Sequence, residues 1–228
     1  MIAGIQKTTL VDFPPHIACT LFTQGCNFRC PYCHNPELVD PARFPPAISW
    51  NEITRFLRSR EGRIEGVVVT GGEPTLHEDL PDRLQELKGM DLKVKLDTNG
   101  SNPGAIRRVL ADRAADFISM DLKAPLDLYG RVAGASVDTE AIRESLELLR
   151  TAGLPCEIRI TYVPSLLALD DLLRAAQLAS AFDHRVMQAF RSGKTLDPAL
   201  GRDSEPTAAQ LSEAASRLAA AGARVRVR

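Results

Sequence analysis

The chain has 228 residues, with 28 Lys and Arg against 29 Asp and Glu, and hydrophobic residues make up 44% of it. This composition excludes intrinsic disorder, a collagen-like repeat and a coiled-coil rod, and a formal net charge of −1 gives no overall field that would attract nucleic acid or an anionic membrane. The first residues carry no basic-then-apolar signal, and no apolar run approaches the roughly 18 residues of a membrane span, so we expect a soluble, cytoplasmic protein without nucleic-acid or membrane partners.

Apolar runs rich in β-branched residues recur along the chain and predict six strands. They cover residues 17–23, 66–70, 92–98, 116–122, 156–163 and 184–190. Segments with helical periodicity lie between and after them, at residues 49–60, 78–88, 103–112, 138–152, 169–181 and 207–221. Alternating strands and helices predict right-handed β-α-β units and a parallel sheet, either open or curved towards a barrel.

The sequence contains no sign of a domain boundary, since it has no Ser/Gly linker, no charge block and no repeat of fixed period. We therefore expect one domain over residues 1–228, with a core at about 16–195 and a C-terminal helix and short strand at about 205–228. Ser49, followed three residues later by Glu52, predicts a capping box at the start of one helix.

The predicted third, fourth and fifth strands carry polar side chains on one face. Successive residues of a strand point to opposite sides, and the residues that share this face are Lys95, Asp97, Asn99, Asp121, Lys123, Arg159 and Thr161. A barrel interior is ordinarily filled by branched apolar side chains. A polar face towards the carboxyl ends of the strands, where parallel α/β folds place their sites, predicts a polar ligand inside.

Three of the five cysteines lie close together, directly after the first predicted strand: Cys26, Cys30 and Cys33. This clustering is a poor disulfide framework and indicates a metal. Three thiolates at this spacing can hold three irons of a [4Fe–4S] cube and leave the fourth iron open to an external chelator.

The cysteines alone leave three other interpretations open. The run from Cys30 to His34 matches the attachment pattern of c-type haem, although that chemistry belongs to exported proteins. His34 could complete a Cys₃His zinc site, and a set of thiols without any metal is the third interpretation. Cys19 and Cys156 lie in predicted strands, and we expect both to be inert buried thiols.

The spacing C-x-x-x-C-x-x-C, with Tyr32 just before the last cysteine, resembles the signature of the radical S-adenosylmethionine (SAM) enzymes. More narrowly, the blocks at residues 4–15 (GIQKTTLVDFPP), 22–27 (FTQGCN) and 33–38 (CHNPEL) resemble the activating proteins of anaerobic ribonucleoside-triphosphate reductase. Later blocks agree, at residues 70–75 (TGGEPT), 96–100 (LDTNG), 120–125 (MDLKAP) and 159–164 (RITYVP). The resemblance runs from about residue 4 to about residue 195.

The resemblance implies an α/β fold, a partial (β/α)₆ TIM-like barrel of the radical SAM type, whose open side admits the glycine loop of a partner. It implies two cofactors, a [4Fe–4S] cluster and SAM, which chelates the open iron. One electron from the cluster then cleaves SAM into methionine and a 5′-deoxyadenosyl radical, which removes a hydrogen from a glycine Cα of the partner. The protein would be an oxidoreductase with no catalytic side chain beyond the cluster, because the cofactor carries the hard chemistry.

The resemblance also implies site residues, position by position. Cys26, Cys30 and Cys33 would be the cluster ligands. Gly71, Gly72 and Glu73 would approach the methionine end of SAM, since glycine lets backbone come close and a carboxylate accepts from an amino group. The remaining cofactor-binding residues would be Tyr32, His34, Asp97, Asn99, Asp121, Lys123 and Arg159. Asp97 and Asp121 would also hold a monovalent cation, whereas the residues alone equally allow an internal ion pair between Arg159 and Asp121.

The implied partner is a glycyl-radical enzyme, and the resemblance favours anaerobic ribonucleotide reductase. The expected electron donor is a flavodoxin or ferredoxin. One alternative is an activase of another glycyl-radical enzyme, such as pyruvate formate-lyase. A second is a small-molecule radical SAM enzyme, such as a 7-carboxy-7-deazaguanine synthase. A zinc-stabilised binding module, which is a different class of protein, would need neither the segment Gly71-Gly72-Glu73 nor the polar strand face.

Overall fold

One eight-stranded sheet organises the fold. The computed structural model describes residues 1–221 and 225–228. Its strands are β1 (Ile2–Thr9), β2 (Ala18–Thr23), β3 (Gly66–Gly71), β4 (Lys93–Thr98), β5 (Phe117–Asp121), β6 (Cys156–Tyr162), β7 (Arg185–Ala189) and β8 (Val225–Val227). They lie side by side in chain order, with β1 antiparallel to β2 and every later neighbouring pair parallel.

Helices connect the parallel strands. They are α1 (Pro36–Val39), α2 (Trp50–Arg58), α3 (Leu80–Lys88), α4 (Pro103–Ala111), α5 (Tyr129–Ala133), α6 (Thr139–Thr151), α7 (Leu169–Leu178) and α8 (Ala208–Ala220). The predicted capping box is confirmed, because Ser49 Oγ accepts from the Glu52 amide while the Ser49 amide donates to the Glu52 carboxylate. Each parallel pair is therefore part of a β-α-β unit, as the alternation predicts.

The two faces of the sheet differ in polarity. Leu96, Met120 and Ile158 are fully buried and belong to one hydrophobic cluster with Leu84 of α3 and Ile106 of α4. Their neighbours in sequence point the other way, into the lumen of the curved sheet. The apolar face of the sheet therefore packs against the helices, and the polar face lines the lumen.

A small apolar cluster occupies the lumen near the amino ends of the strands. It consists of Phe13, from the loop before β2, with Ala18 and Val68, and Phe117 packs against it. Two charged side chains lie beside it, Lys95, whose Nζ donates to the Asp12 carbonyl at 2.6 Å, and Glu157 near the start of β6. The other charged side chains of the lumen lie further towards the carboxyl ends of β4, β5 and β6.

The α/β fold with an open parallel sheet is confirmed, and all six predicted strands form within one residue of their predicted ends. The edge strand β1 and the short helices α1 and α5 are additions that the apolar pattern did not predict. The predicted C-terminal strand forms at Val225–Val227, while residues 222–224 lie outside the described residues. In the described part of the chain, no helix has the length and apolar character needed to cross a membrane.

Candidate cluster and cofactor site

A cavity of 440 Å³ opens at the carboxyl ends of the strands. All the residues predicted for the site line it: Cys26, Cys30, Tyr32, Cys33, His34, Gly71, Gly72, Glu73, Asp97, Asn99, Asp121, Lys123 and Arg159. Its volume falls within the roughly 300–1,000 Å³ that is usual for small-molecule and cofactor sites. The fold thus brings together residues that are up to 133 positions apart in the sequence.

The three clustered cysteines lie on the loop between β2 and α1. The Phe28 amide donates to Cys26 Sγ at 3.4 Å, and the Cys33 amide donates to the Cys30 carbonyl at 3.0 Å. Burial raises the pKa of all three thiols, that of Cys26 to about 11. Metal binding at this loop therefore has to displace protons from the thiols.

Within residues 1–221 and 225–228, no group of three or more His, Cys, Asp or Glu side chains is arranged to hold one metal ion. A [4Fe–4S] cube has a different requirement, because each thiolate binds a different iron. The three cysteines on one side of a 440 Å³ cavity fit that requirement.

An unsatisfied polar group in the cavity fits a further ligand. Tyr32 is 6% exposed, and its hydroxyl has no hydrogen-bond partner among the described residues. Lys123 Nζ lies 5.8 Å from the centre of the Tyr32 ring. Buried polar groups are normally hydrogen-bonded, so this hydroxyl is a candidate contact for a bound polar molecule.

The lumen holds an alternating series of five charged side chains. Lys95 Nζ lies 3.3 Å from Asp97 Oδ1, and Arg159 Nη1 donates to Asp97 Oδ2 at 2.9 Å. Arg159 Nε donates to Asp121 Oδ1 at 2.8 Å, and Lys123 Nζ donates to Asp121 Oδ2 at 3.0 Å. Of this series, Lys123, Arg159, Asp97 and Asp121 line the cavity and Lys95 does not, so two cations face two anions there. The Lys123 ammonium and the Arg159 guanidinium are the groups of the series that could donate to the carboxylate of a methionine-like ligand.

The ion pairs determine how Asp121 titrates. Burial alone would raise the pKa of Asp121, but Arg159 and Lys123 hold it well below its usual range. The internal pair between Arg159 and Asp121, one of the two interpretations of the sequence, is therefore formed. A monovalent cation at Asp97 and Asp121 stays a prediction, and it would have to share both carboxylates with Arg159.

The turn that Gly71 and Gly72 form at the end of β3 (the glycine turn) packs against the loop between β2 and α1 that carries the three clustered cysteines (the cysteine loop). Gly71 has φ +114°, and a Cβ on it would lie 2.4 Å from the Thr23 backbone nitrogen. A Cβ on Gly72 would lie 2.0 Å from the carbonyl oxygen of Gly25. These glycines are needed for a close approach between two protein loops, a reason that the sequence pattern alone did not reveal.

Glu73 and Asn99 use their side chains within the protein. The Glu73 carboxylate is buried and accepts hydrogen bonds from Thr75, Thr98 and the amide of Asn99. Its burial raises its pKa. The Asn99 side chain bonds to Asn27 and to the amide of Ser101. Both residues border the cavity, but their polar atoms are bonded to other loops.

His34 contacts the end of β7. Its ring is stacked on Phe190 at 5.7 Å between centres, and its Nε2 lies 2.7 Å from the carbonyl oxygen of Arg191. The segment after β7 also contacts the cysteine loop, because the Leu196 amide donates to the Cys33 carbonyl at 3.0 Å. Sequence reasoning missed this wall of the cavity, since the contacts are made by backbone atoms that leave no motif.

Comparison with known proteins agrees with this geometry. The family model of the radical SAM superfamily matches residues 20–177. A protein of Methanocaldococcus jannaschii named "Putative glycyl-radical enzyme activating enzyme" is 26% identical over 204 residues, which cover 86% of this chain and 82% of that protein.

Shorter alignments reach two other kinds of enzyme. A pyruvate formate-lyase-activating enzyme of Staphylococcus epidermidis is 36% identical over 101 residues, 42% of this chain and 40% of the relative. A 7-carboxy-7-deazaguanine synthase of Aquifex aeolicus is 35% identical over 80 residues, 34% of each chain. The matched regions thus span well under half of both relatives.

The fold is also that of solved structures. Streptococcus suis SuiB, crystallised with S-adenosylmethionine, superposes with a TM-score of 0.67 and 15% identity, over 90% of this chain and 48% of SuiB. This chain therefore matches about half of SuiB, and the likeness concerns the fold. Since the family model covers more than half of the chain and includes the three cysteines, the glycine turn and the charged strand ends, the chain belongs to the radical SAM superfamily.

Proposed function

We propose that this chain is a glycyl-radical enzyme activase whose partner is an anaerobic ribonucleoside-triphosphate reductase. The observation that carries the proposal is the shared cavity, in which the cysteine loop, the glycine turn and the charged ends of β4, β5 and β6 meet. The M. jannaschii relative, aligned over 82% of its length, supports the activase class.

Three side chains would hold the cluster and two would hold SAM. Cys26, Cys30 and Cys33 would ligate a [4Fe–4S] cluster, which supplies the electron that cleaves bound SAM into methionine and a 5′-deoxyadenosyl radical. Lys123 and Arg159 would bind the methionine carboxylate, because both are cationic side chains that line the cavity.

Other residues would keep this geometry and exclude water. Asp97 and Asp121 orient the Arg159 guanidinium from two sides. Phe190, which is buried, forms an apolar wall beside the cysteine loop, and the exposed His34 ring is stacked on it. A site that excludes water protects a reactive radical from side reactions.

The edges of the sheet would admit the partner. The terminal strands β1 and β8 lie at opposite edges of the curved sheet. A protein loop that carries a glycine would enter between these edges and reach the cavity at the carboxyl ends of the strands. A flavodoxin or ferredoxin would supply the electron.

The reductase is proposed as the partner on the N-terminal block at residues 4–15 and on the run from Cys33 to Leu38. A pyruvate formate-lyase is the second candidate, supported by the S. epidermidis alignment. A deazaguanine synthase reaction is the third, supported by the A. aeolicus alignment.

The experiment uses protein reconstituted anaerobically with iron and sulfide and reduced with flavodoxin. We expect 5′-deoxyadenosine to form from SAM in wild type and not in Cys30→Ala, and a glycyl-radical EPR signal to form on added reductase from the same organism. A glycyl-radical signal on pyruvate formate-lyase and none on the reductase would identify pyruvate formate-lyase as the partner. If SAM is cleaved only when a carboxypterin substrate is added, the protein is a deazaguanine synthase and the activase proposal is wrong.

A further inference from the structure

One buried carboxylate joins the loops that surround the cofactor cavity. Glu73 is 1% exposed. Its Oε1 accepts from the amide and hydroxyl of Thr75 and from the hydroxyl of Thr98 at 2.7 Å, and its Oε2 accepts from the Asn99 amide at 2.6 Å. A carboxylate offers about four acceptor positions. Three protein donors therefore bind Oε1 and one binds Oε2, so that four hydrogen bonds hold this carboxylate within the protein.

The hydrogen bonds continue from Asn99 into the cysteine loop. Asn99 Nδ2 donates to Asn27 Oδ1 at 2.9 Å, Asn27 Nδ2 donates to Ser101 Oγ at 2.8 Å, and the Ser101 amide donates to Asn99 Oδ1 at 2.9 Å. The three residues form a closed ring. Asn27 directly follows Cys26, so the ring attaches the first cysteine to the end of β4.

Backbone bonds attach the same loop to the glycine turn. The Glu73 amide donates to the Gly25 carbonyl at 2.8 Å, and the Gly72 amide donates to the Thr23 carbonyl at 2.8 Å. Cys26 is thus held from two sides, by the turn through Gly25 and by the ring through Asn27. Glu73 contributes to both attachments, with its amide to the first and its carboxylate to the second.

We propose that Glu73 and Asn27 are positioning residues for the cluster ligands. Glu73 fixes Asn99, Asn99 fixes Asn27, and the Cys26 thiol is thereby kept in place relative to the glycine turn. The inference rests on the SAM binding proposed above. It assigns the Glu73 carboxylate to the protein network, because four protein hydrogen bonds hold this carboxylate in a buried position.

A double-mutant cycle on the KM for SAM tests this coupling. We expect Glu73→Gln to raise the KM about tenfold and Asn27→Ala to raise it about threefold, in keeping with loss of a charged and of a neutral hydrogen bond. If both act through Asn99, the double variant has the KM of Glu73→Gln alone. Independent effects that multiply to about thirtyfold would overturn the proposal.

Two further measurements separate positioning from a general loss of structure. The EPR spectrum of the reduced cluster should match wild type in Asn27→Ala without SAM and differ from it with SAM. Asn51→Ala, an exposed asparagine on α2, is the matched control and should leave both spectra and the KM unchanged. An Asn27→Ala spectrum identical to wild type with SAM would contradict the coupling.

Hydrogen exchange on cluster-free protein tests the network without any activity. We expect Glu73→Gln to accelerate exchange in residues 24–30 as well as in 98–101, because the two segments share the ring. Acceleration confined to 98–101 would overturn the proposal. Should Glu73→Gln fail to fold, Thr98→Val removes one donor to the same carboxylate and replaces it in both experiments.

The proposed function and this inference fail separately. If loaded wild-type protein cleaves no SAM, the proposed function is wrong, while the exchange experiment still measures whether Glu73 holds the cysteine loop. If wild type cleaves SAM but the KM effects multiply, the network proposal alone is wrong.

Discussion

Arg159 Nε donates to Asp121 Oδ1 at 2.8 Å, between directly paired residues of β6 and β5. Lys123 contacts the other Asp121 oxygen, so one carboxylate is held by two cations. We expect Asp121→Asn to lower the free energy of unfolding by about 3 kcal/mol at pH 7, because removing one partner of a buried pair leaves the other charges uncompensated. Urea denaturation of the purified protein measures this change.

The exposed pair between Arg107 and Glu144 is the control for that prediction. Its side chains are 58% and 47% exposed, so Glu144→Gln should change the free energy of unfolding by less than about 1 kcal/mol. Equal losses of unfolding free energy in Asp121→Asn and Glu144→Gln would show that the lumen pair stabilises the fold no more than an exposed pair does.

The effect of Asp121 on stability should depend on pH in a defined direction. Its folded-state pKa lies below the unfolded value, so its contribution is present above the unfolded pKa and is lost as pH falls through the folded pKa. The difference between wild type and Asp121→Asn should stay constant from about pH 8 to about pH 5 and shrink below about pH 4. A difference that instead shrinks on going from neutral to alkaline pH would contradict this assignment.

Gly72→Ala should disrupt the contact between the glycine turn and the cysteine loop. The added Cβ would meet the Gly25 carbonyl oxygen at 2.0 Å, and neither backbone can move without breaking the hydrogen bonds between them. We expect a loss of about 3 kcal/mol or more in the free energy of unfolding, together with poor iron retention after reconstitution. Gly201→Ala is the matched control, since a Cβ there meets nothing within 4 Å.

β2 and β3 were predictable because parallel strands buried on both faces read as apolar runs. The alternation along β4, β5 and β6 also predicted which charged residues face the lumen. The edge strand β1 was missed because its second half is polar and exposed, at Gln6, Lys7 and Thr8, and only Ala3 and Thr9 are buried. Such a strand gives no periodic apolar signal.

The candidate site was predictable as a set of residues but not as a set of contacts. The residues that the cysteine spacing and the strand parity single out all line one cavity. The bonds of Asn99 to Asn27, and of His34 to the end of β7, join residues that are 72 and 157 positions apart. Such partners depend on how loops pack, and no local pattern encodes them.

His34 tests whether the wall at the end of β7 supports the cysteine loop. His34→Phe keeps an aromatic ring against Phe190 and loses the contact with the Arg191 carbonyl, so we expect a loss of about 1 kcal/mol in the free energy of unfolding. His34→Ala also loses the stacking and should lose about 2 kcal/mol. Equal stabilities of the two variants would mean that the ring contact contributes nothing.

The cysteines outside the loop should differ in reactivity from one another. Cys19 has no exposed surface, and burial raises its pKa to about 12, whereas Cys156 is partly exposed. The thiolate is the nucleophile, and at pH 8 a thiol of that pKa is deprotonated in only about one molecule in 10,000. We therefore expect iodoacetamide to label Cys156 well before Cys19 in native protein, as followed by mass spectrometry of peptides, and to label both alike in urea. Rapid native labelling of Cys19 would mean that β2 opens readily beneath the cysteine loop.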